Sequence, residues 1–360
     1  MSSQYRLDVH TAAGVKLAEV TDYLELSYTR RVNAPGALTF TLHGDHRVIG
    51  ELEHNSQVIV YRRNADLGLD WTPEFVGLYR AQRRRYTNRA VFTATCPGCM
   101  TMLAWRIVAW KASTANRSNF QNVPAETVMK TLVDYNAGAN ATTANGRIRN
   151  GVIPGITVQA DGGSGRTISI GCAYANLLET LQKVAAIGGG DFDLVKTGAA
   201  TYEFRWHAGQ RGTDRTAEVL FALERGNMAE PEYEYDRIGE QTVCIVGGQN
   251  QGASRQVEIC TGSDYGPDND IEVFGDGGTL STTAALQSLG EEKLEEGRAR
   301  EKFTFKVVQT RSCAYGVHYG LGDLVRAQYG PVNVVQKVTG VTVNLDKRGA
   351  EQIDVETETV

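Results

Sequence analysis

Apolar and polar side chains alternate through much of the first hundred residues, and no helical period of any length interrupts them. In "ALTFTL" the residues Leu38, Phe40 and Leu42 share one face of a strand, and the residues between them share a polar face. This alternation is typical of antiparallel sheets that pack one face on a core and present the other to water or a neighbour. The pattern predicts a compact β-barrel or sandwich over residues 1–100.

Helical spacing replaces the alternation at about residue 100. It predicts helices within "CMTMLAWRIVAW", "NVPAETVMKTLVDYNAG" and "AYANLLETLQKVAAIGGG", where Asn122 is placed like a cap and Gly138 like a stop. The alternation then returns, interrupted by one helix in "TTAALQSLGEEKLEEGRAR". We therefore expect a mainly β chain with an α+β middle, made of a β domain at 1–100, an α+β domain at 101–216, and a second β domain at 217–360 with a helix-containing insertion at about 250–300.

The composition is that of an ordinary globular protein, with 41% hydrophobic and 22% charged residues among 360. The net charge of −5 argues against a free-standing nucleic-acid binder, because such proteins carry a basic face. No apolar run approaches the roughly 18 residues of a membrane-spanning helix. The start "MSSQYRLDVH" lacks the basic and apolar regions of a signal peptide, so we expect synthesis and assembly in a cytoplasm.

Cys96 and Cys99 in "CPGC" have the spacing of a redox centre or of half a metal site. A structural zinc site of this kind needs a second close pair, yet the next cysteine along the chain is the distant Cys172. A redox pair follows the first strand of a βαβ unit, whereas no parallel βαβ pattern follows this one. We interpret Pro97 and Gly98 as a turn that precedes a helix, and the two thiols as chemically dispensable.

A cluster of arginines lies in "RAQRRRYTNR". Such a cluster fits either a nucleic-acid patch or a contact with a neighbouring subunit. On a strand, Arg83 and Arg85 point to one face and Arg84 to the other, which divides the patch. We therefore predict that Arg83, Arg84 and Arg85 are subunit-interface residues, since arginine is favoured at protein interfaces.

Catalytic motifs are missing from the sequence, which contains no P-loop, no dinucleotide-binding glycine motif and no H-E-x-x-H zinc motif. "GGSGR" at 162–166 resembles a nucleophile elbow only superficially, because no strand-to-helix frame surrounds it, and we interpret it as a loop. We expect no catalytic residue, no cofactor and no metal. The side chains that come nearest to a ligand set follow a strand end as a polar loop, namely His43, Asp45, His46 and His54.

Several stretches occur in the order seen in the hub proteins of long phage tails. They are "RRVNAPGALTFTL", "FVGLYRAQ", "TMLAWRIV", "PAETVMKTLVD", "ANLLETLQKVA", "GNMAEPEYEYDR", "VVQT", and "YGLGDLVRAQ" followed by "VTGVTVNL". Over nearly its whole length the chain resembles siphophage tail-hub proteins, which are similar in architecture to the baseplate hubs of contractile tails. At the start of the second domain such proteins commonly have a Gly-x-Asp turn, where this chain has Cys96, Pro97 and Gly98.

The resemblance implies two tube-like antiparallel β-barrels in each chain, with the α+β segments peripheral to them. Three chains then form a homotrimeric ring of six barrels around a channel, which matches the six-fold symmetry of a tail tube. The implied role is structural and non-enzymatic: the hub starts the tube at the tail tip of the virion and lets DNA pass during ejection without binding it specifically. The implied partners are the tail tube or distal tail protein, the tape-measure protein, and tail tip or fibre proteins.

Two other functions are compatible with a tail protein. A tail-associated cell-wall hydrolase requires a catalytic constellation or an added domain, and neither is evident in the sequence. A receptor- or carbohydrate-binding tip protein requires exposed aromatic side chains on loops. Trp105 and Trp110 lie in an apolar run and are expected in the core, whereas Trp71 lies in the loop-like "LGLDWTPEF", and Trp206 is the remaining candidate.

Overall fold

The computed structural model describes residues 3–86, 88–109, 118–141, 143, 149–347 and 349–360. The chain forms two compact units, the first made of Met1–Glu230, Lys306–Glu358 and Val360, and the second of Pro231–Phe305 and Thr359. Strands dominate over helices, so the prediction of a mainly β chain with an α+β middle is confirmed. Within the described ranges, no helix combines the length and the apolar content that a membrane span requires.

The N-terminal part of the first unit contains the strands β1 (Gln4–His10), β2 (Lys16–Val20), β3 (Glu25–Arg31), β4 (Ala34–His43), β5 (Gln57–Asn64), β6 (Leu69–Leu78), β7 (Ala81–Tyr86) and β8 (Ala90–Pro97). A small sheet has the order β2-β1-β5-β6, whereas β3, β4, β8 and β7 belong to a second, larger sheet. The alternating stretch "EFVGLYRAQRRRYTN" is therefore two strands, because the chain leaves the small sheet after Leu78 and enters the large sheet at Ala81.

The α+β middle of the first unit contains β9 (Ser118–Pro124), α1 (Ala125–Asn136), β10 (Ile156–Val158), β11 (Thr167–Cys172), α2 (Leu177–Gly188), β12 (Gly190–Lys196), β13 (Tyr202–Ala208) and β14 (Leu220–Ala222). The apolar stripes of α1 and α2 share one hydrophobic core with β12 and β13. The side chain of Asn176 caps α2 by accepting a hydrogen bond from the backbone N–H of Glu179 at 3.3 Å. Gly189 ends the helix in the left-handed conformation, at φ +66°.

Two predictions about the helices are wrong in detail. The stretch that begins at Cys99 forms a 3-10 helix, Cys99–Trp105, and Arg106 already has extended backbone angles. Asn122, the expected cap of α1, lies in β9 instead, and α1 begins after Pro124. The backbone N–H of Glu126 donates instead to the carbonyl oxygen of Ser164 (3.1 Å), so a loop distant in sequence satisfies the start of the helix.

The chain enters and leaves the second unit through two paired strands. In order, the elements are β15 (Met228–Asp236), β16 (Val243–Gly247), β17 (Val257–Thr261), β18 (Glu272–Asp276), α3 (Thr283–Glu296) and β19 (Arg300–Val307). The sheet has the order β17-β16-β18. Leu286 and Leu294 of α3 pack against Cys244 and Val246 of its central strand, which gives this unit a core of its own.

The C-terminal strands β20 (Leu324–Tyr329), β21 (Val332–Leu345) and β22 (Glu351–Thr359) return the chain to the first unit. β21 pairs antiparallel with β3, so the large sheet has the order β14-β20-β21-β3-β4-β8-β7, with β22 also paired to β21. Strands from both predicted β domains thus share one sheet. No sheet formed by the described residues closes on itself. The described part of the chain therefore contains no closed barrel. The domain limits at residues 100 and 217 stay a prediction.

The alternation places one face of the large sheet in the core. Tyr28 of β3, which is fully buried, lies with its ring centre 6.3 Å from Tyr5 of β1 and 6.2 Å from Phe75 of β6. These ring contacts show that the core face of the large sheet packs on the small sheet. Burial of a large apolar side chain contributes roughly 1.5–3 kcal/mol, so this face holds the two sheets together.

Gly98 connects β8 to the 3-10 helix, where its backbone lies against Pro35. A Cβ atom at this position would lie 1.8 Å from the carbonyl oxygen of Pro35, so Gly98→Ala requires two backbone segments to move apart. We expect this change to lower the free energy of unfolding by about 2–3 kcal/mol in urea denaturation. Gly50→Ala is the matched control, because no atom lies within 4 Å of its Cβ position. Its effect should stay within about 1 kcal/mol, and equal losses for the two variants would contradict the steric argument.

Candidate assembly surface

Small uncharged polar side chains cover the large sheet on the face opposite its core. They alternate with the buried apolar residues along β3, β4, β8 and β21, and the strand register places them side by side. We call this surface the threonine-rich face and define it by the residues Ser27, Thr29, Thr39, Thr41, Thr93, Thr95, Thr342 and Asn344.

Hydrogen bonds between neighbouring strands join side chains of the threonine-rich face. The hydroxyl of Ser27 donates to Oδ1 of Asn344 at 2.7 Å, and the hydroxyl oxygens of Thr29 and Thr342 lie 2.9 Å apart. Hydroxyl and amide groups bind water on their remaining sites, yet none of them carries a charge. These eight side chains are therefore wettable and uncharged, and they offer no cation to a polyanion. The charged side chains on this side of the sheet border them.

One edge of the large sheet is basic. β7 ends the sheet, and all six of its residues are exposed. The register places Arg83 opposite Thr93 and Arg84 opposite Phe92, so the predicted division of the arginines between two faces is confirmed. Arg84 lies over the Phe92 ring, at 5.9 Å from its centre. Arg83, Arg84 and Arg85 form no ion pair with any other residue that the structure describes.

An acidic strand, β22, lies elsewhere in the same sheet. Among the described residues its one strand neighbour is β21. Asp354, Glu356 and Glu358 are its exposed acidic side chains. Asp354 accepts a hydrogen bond from Asn344 at 3.4 Å and therefore shares the threonine-rich face. Glu356 pairs with Arg31 at 2.8 Å, with half of each side chain exposed. The neutral face thus lies between a basic strand and an acidic one.

A buried arginine joins segments from both ends of the chain. Arg62 of β5 is 2% exposed, and its guanidinium donates to Oε1 of Glu351 at 3.0 Å and to the carbonyl oxygen of Tyr315 at 2.9 Å. Glu351 also accepts hydrogen bonds from the hydroxyls of Ser3, at 2.8 Å, and of Tyr5. Burial raises the pKa of Tyr5 well above its usual range, so this hydroxyl stays protonated and donates. The network therefore connects β1, β5 and β22.

Asn33 connects the large sheet to the α+β middle of the same unit. It forms the turn between β3 and β4, at φ +56°. Its side-chain oxygen accepts from the backbone N–H of Phe192 at 2.8 Å, and its side-chain nitrogen donates to Oδ1 of Asp191 at 3.1 Å. Lys337 of β21 binds the same carboxylate oxygen at 2.7 Å. Hydrogen bonds and an ion pair therefore connect the large sheet, which bears the threonine-rich face, to the α+β middle.

Cys96 and Cys99 are both free thiols in a structural setting. Cys96 lies in β8 with its side chain in the core, and Sγ of Cys99 donates to the carbonyl oxygen of Leu194 at 3.2 Å. Burial raises the pKa of the Cys96 thiol well above its usual range and that of Cys99 to about 12. A thiol with a raised pKa is a poor nucleophile and a poor metal ligand. The prediction of a turn is wrong, because Pro97 is the last residue of β8, paired with Ala37, and Gly98 has extended backbone angles. The 3-10 helix nevertheless begins directly after them, at Cys99.

The "GGSGR" loop binds the carboxylate of Glu126 at the start of α1. Oε2 of Glu126 accepts from the backbone N–H of Ser164 at 2.8 Å and from its hydroxyl at 2.5 Å, and Oε1 accepts from the N–H of Gly162 at 3.1 Å. Lys130, one helical turn later, also donates to Oε1. The serine hydroxyl donates to a carboxylate that is itself paired with a lysine, so this geometry supports a structural loop.

Glu126 should make stability depend on pH. Desolvation acts to raise its pKa, but the hydrogen bonds from Lys130 and Ser164 outweigh it and lower the pKa from 4.5 to about 2. Because the pKa is lower in the folded state, Glu126 stabilises the fold above pH 4.5, and this contribution is lost as the pH falls towards 2. We expect Glu126→Gln to cost roughly 2–3 kcal/mol at pH 6, with the difference from wild type shrinking between pH 4.5 and 2.

Urea denaturation across this pH range measures the difference. Glu179→Gln, at an exposed position of α2, is the matched control for the loss of one carboxylate. It should stay within about 0.5 kcal/mol of wild type. A cost for Glu126→Gln that is the same at pH 6 and pH 2.5 would contradict the assigned pKa.

The polar loop "HGDH" serves the local fold. Nδ1 of His46 accepts a hydrogen bond from the backbone N–H of Val48 at 3.2 Å and so caps the 3-10 helix Arg47–Gly50. In the part of the chain that the structure describes, no group of three or more His, Cys, Asp or Glu side chains is arranged to hold a metal ion. The structure therefore does not assemble a metal site from His43, Asp45, His46 and His54.

The tryptophans are placed differently from the sequence-based expectation. Trp71 lies in β6 and not in a loop. Trp105, expected in the core, is 36% exposed because the 3-10 helix ends there, and the guanidinium of Arg80 lies 5.2 Å from its ring centre. Trp206 is buried in β13. Trp110 lies outside the described residues.

A cleft of about 450 Å³ lies beside the large sheet, lined by residues of β3, β6 and β12 among others. Several of the charged groups that line it are paired with one another. Arg30 donates to Glu74 at 2.9 Å, and Nε of Arg211 lies 3.2 Å from Oδ2 of Asp193. Groups held in such pairs act as structural contacts, so the cleft does not present them as reactive groups.

Three solved structures show what this fold is similar to. A tail protein from Neisseria meningitidis MC58 is 13% identical, with a TM-score of 0.59 over 99% of this chain and 97% of that one. The 43 kDa tail protein of prophage MuSo2 from Shewanella oneidensis is 11% identical, with a TM-score of 0.58 over 99% and 98% of the two chains. The E. coli c3393 protein is 10% identical, with a TM-score of 0.50 over 98% of this chain and 76% of that one. It is described as a type VI secretion component with structural similarity to the T4 bacteriophage tail proteins gp27 and gp5.

The sequence itself matches a family model described as siphovirus ReqiPepy6 Gp37-like protein over residues 6–357. No curated protein sequence is significantly similar to the chain. At identities of 10–13% the structures establish the fold alone, whereas the family match covers nearly the whole chain. Together they confirm the resemblance to siphophage tail proteins.

Proposed function

The chain belongs to the family of siphovirus ReqiPepy6 Gp37-like proteins, and we propose that it is the structural hub at the distal end of a phage tail tube. Its fold is that of phage tail and baseplate-type structural proteins. In this proposal, three copies form a closed ring at the tail tip of the virion and start assembly of the tube. The ring contacts the tape-measure protein, the tube or distal tail protein, and tail tip or fibre proteins, and its role is non-enzymatic.

This proposal rests on the threonine-rich face, which in the proposed ring forms the wall of the channel through which DNA leaves. Such a wall must be wet, yet it must not hold phosphates, and lysine or arginine along it would bind them through counterion release. Thr39, Thr41, Thr93 and Thr95 place hydroxyl groups without charge at the centre of the large sheet. This combination of wetting and neutrality is what free passage of a polyanion requires.

The pairing of β3 with β21 supports a ring of three chains. It joins strands from the N-terminal and C-terminal β segments into one continuous wall. Three chains then present six β segments, which reconciles a three-fold ring with a six-fold tube. In this arrangement the sheets meet between chains, which is compatible with a large sheet that stays open within one chain.

An electron cryomicroscopy map of assembled tails tests the proposal. We expect three copies of the chain around a channel directly below the tube, with Thr39 and Thr93 facing the lumen. A ring of six copies, or a position on peripheral fibres away from the channel, would refute the hub assignment. A three-fold ring whose threonine-rich face points away from the lumen would refute the channel wall alone.

A further inference from the structure

The first unit carries opposite charges on two strands of the same sheet. Arg83, Arg84 and Arg85 on β7 have no ionic partner among the described residues, and the other side of that strand faces no strand there. β22 is bordered by β21 and carries acidic side chains. An edge strand with unpaired backbone groups is a template for pairing with another chain. Complementary charge on two such strands favours one specific partner over others.

We propose that β7 of one copy pairs edge to edge with β22 of the next copy, so that Arg83 and Arg85 of β7 meet the carboxylates of Asp354, Glu356 and Glu358. This proposal rests on the hub function, because a contact between two different surfaces repeats from copy to copy and closes only as a ring. It specifies what that function leaves open, namely which surfaces join the copies.

The charges lie on the faces that such a contact requires. Arg83 is opposite Thr93, so it shares the threonine-rich face. A Cβ on Gly340 of β21 would point within 2.7 Å of the Glu356 carboxylate, and Asn344 hydrogen-bonds Asp354, so both acids share that face as well. A sheet continued from one copy into the next therefore places Arg83 and these carboxylates on the same side of the joint.

Pairing across this joint also neutralises the charges that border the neutral wall. Arg83 and Arg85 at one edge meet Asp354 and Glu356 at the other, while the threonines between them remain uncharged. The existing ion pair between Arg31 and Glu356 does not prevent this, because both side chains are half exposed and such surface pairs contribute little. Glu356 is therefore free to be shared with an incoming arginine.

Charged edge strands have a second explanation, which makes the opposite prediction. Many proteins place charges on an edge strand to keep it from pairing with other chains. If β7 were protected in this way, removal of its charges would increase association. If β7 is a docking strand, the same change must weaken association, so the two explanations separate in one measurement.

Charge exchange provides that measurement, with self-association followed by analytical ultracentrifugation and assembly followed by counting complete tails. We expect Arg83→Glu with Arg85→Glu, and separately Asp354→Lys with Glu358→Lys, each to reduce association or assembly at least about tenfold. All four changes in one chain should restore it to within about threefold of wild type. When the arginine variant and the acid variant are mixed, copies of one should associate with copies of the other. Because the two kinds of copy must then alternate, they cannot close a ring of three.

Cross-linking in complete tails identifies the contact directly. Tails assembled with Arg83→Cys and Asp354→Cys in the same chain, treated with a short bismaleimide, should give covalently closed trimers. Each single cysteine variant should give none, which controls for the native thiols. Two results would overturn the proposal. One is increased association of the double variant Arg83→Ala, Arg85→Ala. The other is a four-change variant that remains folded by circular dichroism yet does not recover association.

The test separates failure of this contact from failure of the hub function. A three-fold ring at the tail tip that yields no cross-link between β7 and β22 would refute the contact and leave the function standing. Tails whose tip lacks the chain would refute the function itself.

Discussion

Arg62→Met should lower the free energy of unfolding by about 3–5 kcal/mol, the largest stability effect that we expect from a single change. The substitution keeps much of the side-chain volume but removes the donors to Glu351 and to the carbonyl oxygen of Tyr315. The Glu351 carboxylate then lies beside β5 without its cation, and loss of one partner from a buried ion pair costs far more than the pair contributes. Urea or thermal denaturation of the isolated protein measures the loss.

Arg63→Met, at the next position of β5, is the matched control. Its side chain is 43% exposed and lies 3.8 Å from Asp70, so its loss should cost no more than about 1 kcal/mol. A double variant, Arg62→Met with Glu351→Gln, should recover part of the stability, because no carboxylate is left unpaired. Equal costs for Arg62→Met and Arg63→Met would contradict the role assigned to the buried network.

Lysines on the threonine-rich face should hold DNA in the tail, the largest functional effect that we expect. Thr39→Lys with Thr93→Lys adds two cations to each chain and hence six to a ring of three. Because cations bind phosphates by releasing counterions, DNA ejection from complete particles should be at least about tenfold slower at low salt. Raising the salt concentration should relieve the defect. Triggered DNA release, followed with a fluorescent DNA stain, measures both effects.

The same positions changed to glutamine provide the control for side-chain size. Thr39→Gln with Thr93→Gln should assemble and eject at close to the wild-type rate, because these side chains add bulk without charge. Particles must be counted first, so that a loss of assembly is not mistaken for slow ejection. The idea that this face lines the channel would be wrong if the lysine and glutamine variants assemble equally and eject DNA at the same rate at low salt.

The local features of the fold could be read from the sequence. Helical spacing placed α2 and α3, and an alternating period of two placed Leu38 and Phe40 on a buried face, because side chains of a strand point to opposite sides in turn. The same rule predicted the division of Arg83 and Arg84 between two faces. Each of these properties depends on residues that are near in sequence.

The start of α1 and the site of Glu126 could not be read in the same way. Asn122 is a common capping residue, but the carbonyl oxygen that accepts from the start of the helix belongs to Ser164. The backbone N–H groups that donate to the Glu126 carboxylate belong to Gly162 and Ser164, far along the chain. Local capping rules therefore favoured the wrong residue. No spacing in the sequence indicates that this loop returns to the helix.

The sequence by itself determined that alternating stretches such as "ALTFTL" form strands and which side of them is polar, since both follow from the chemistry of neighbouring residues. Only the tertiary structure decided which strands meet. The pairing of Leu26 with Leu345 and the ion pair of Arg62 with Glu351 join segments about three hundred residues apart. Such contacts are selected by the packing of whole faces against one another, and many alternating strands offer faces of the same kind. Alternation therefore predicted a polar face on separate strands, and the fold brought several such faces together in one sheet.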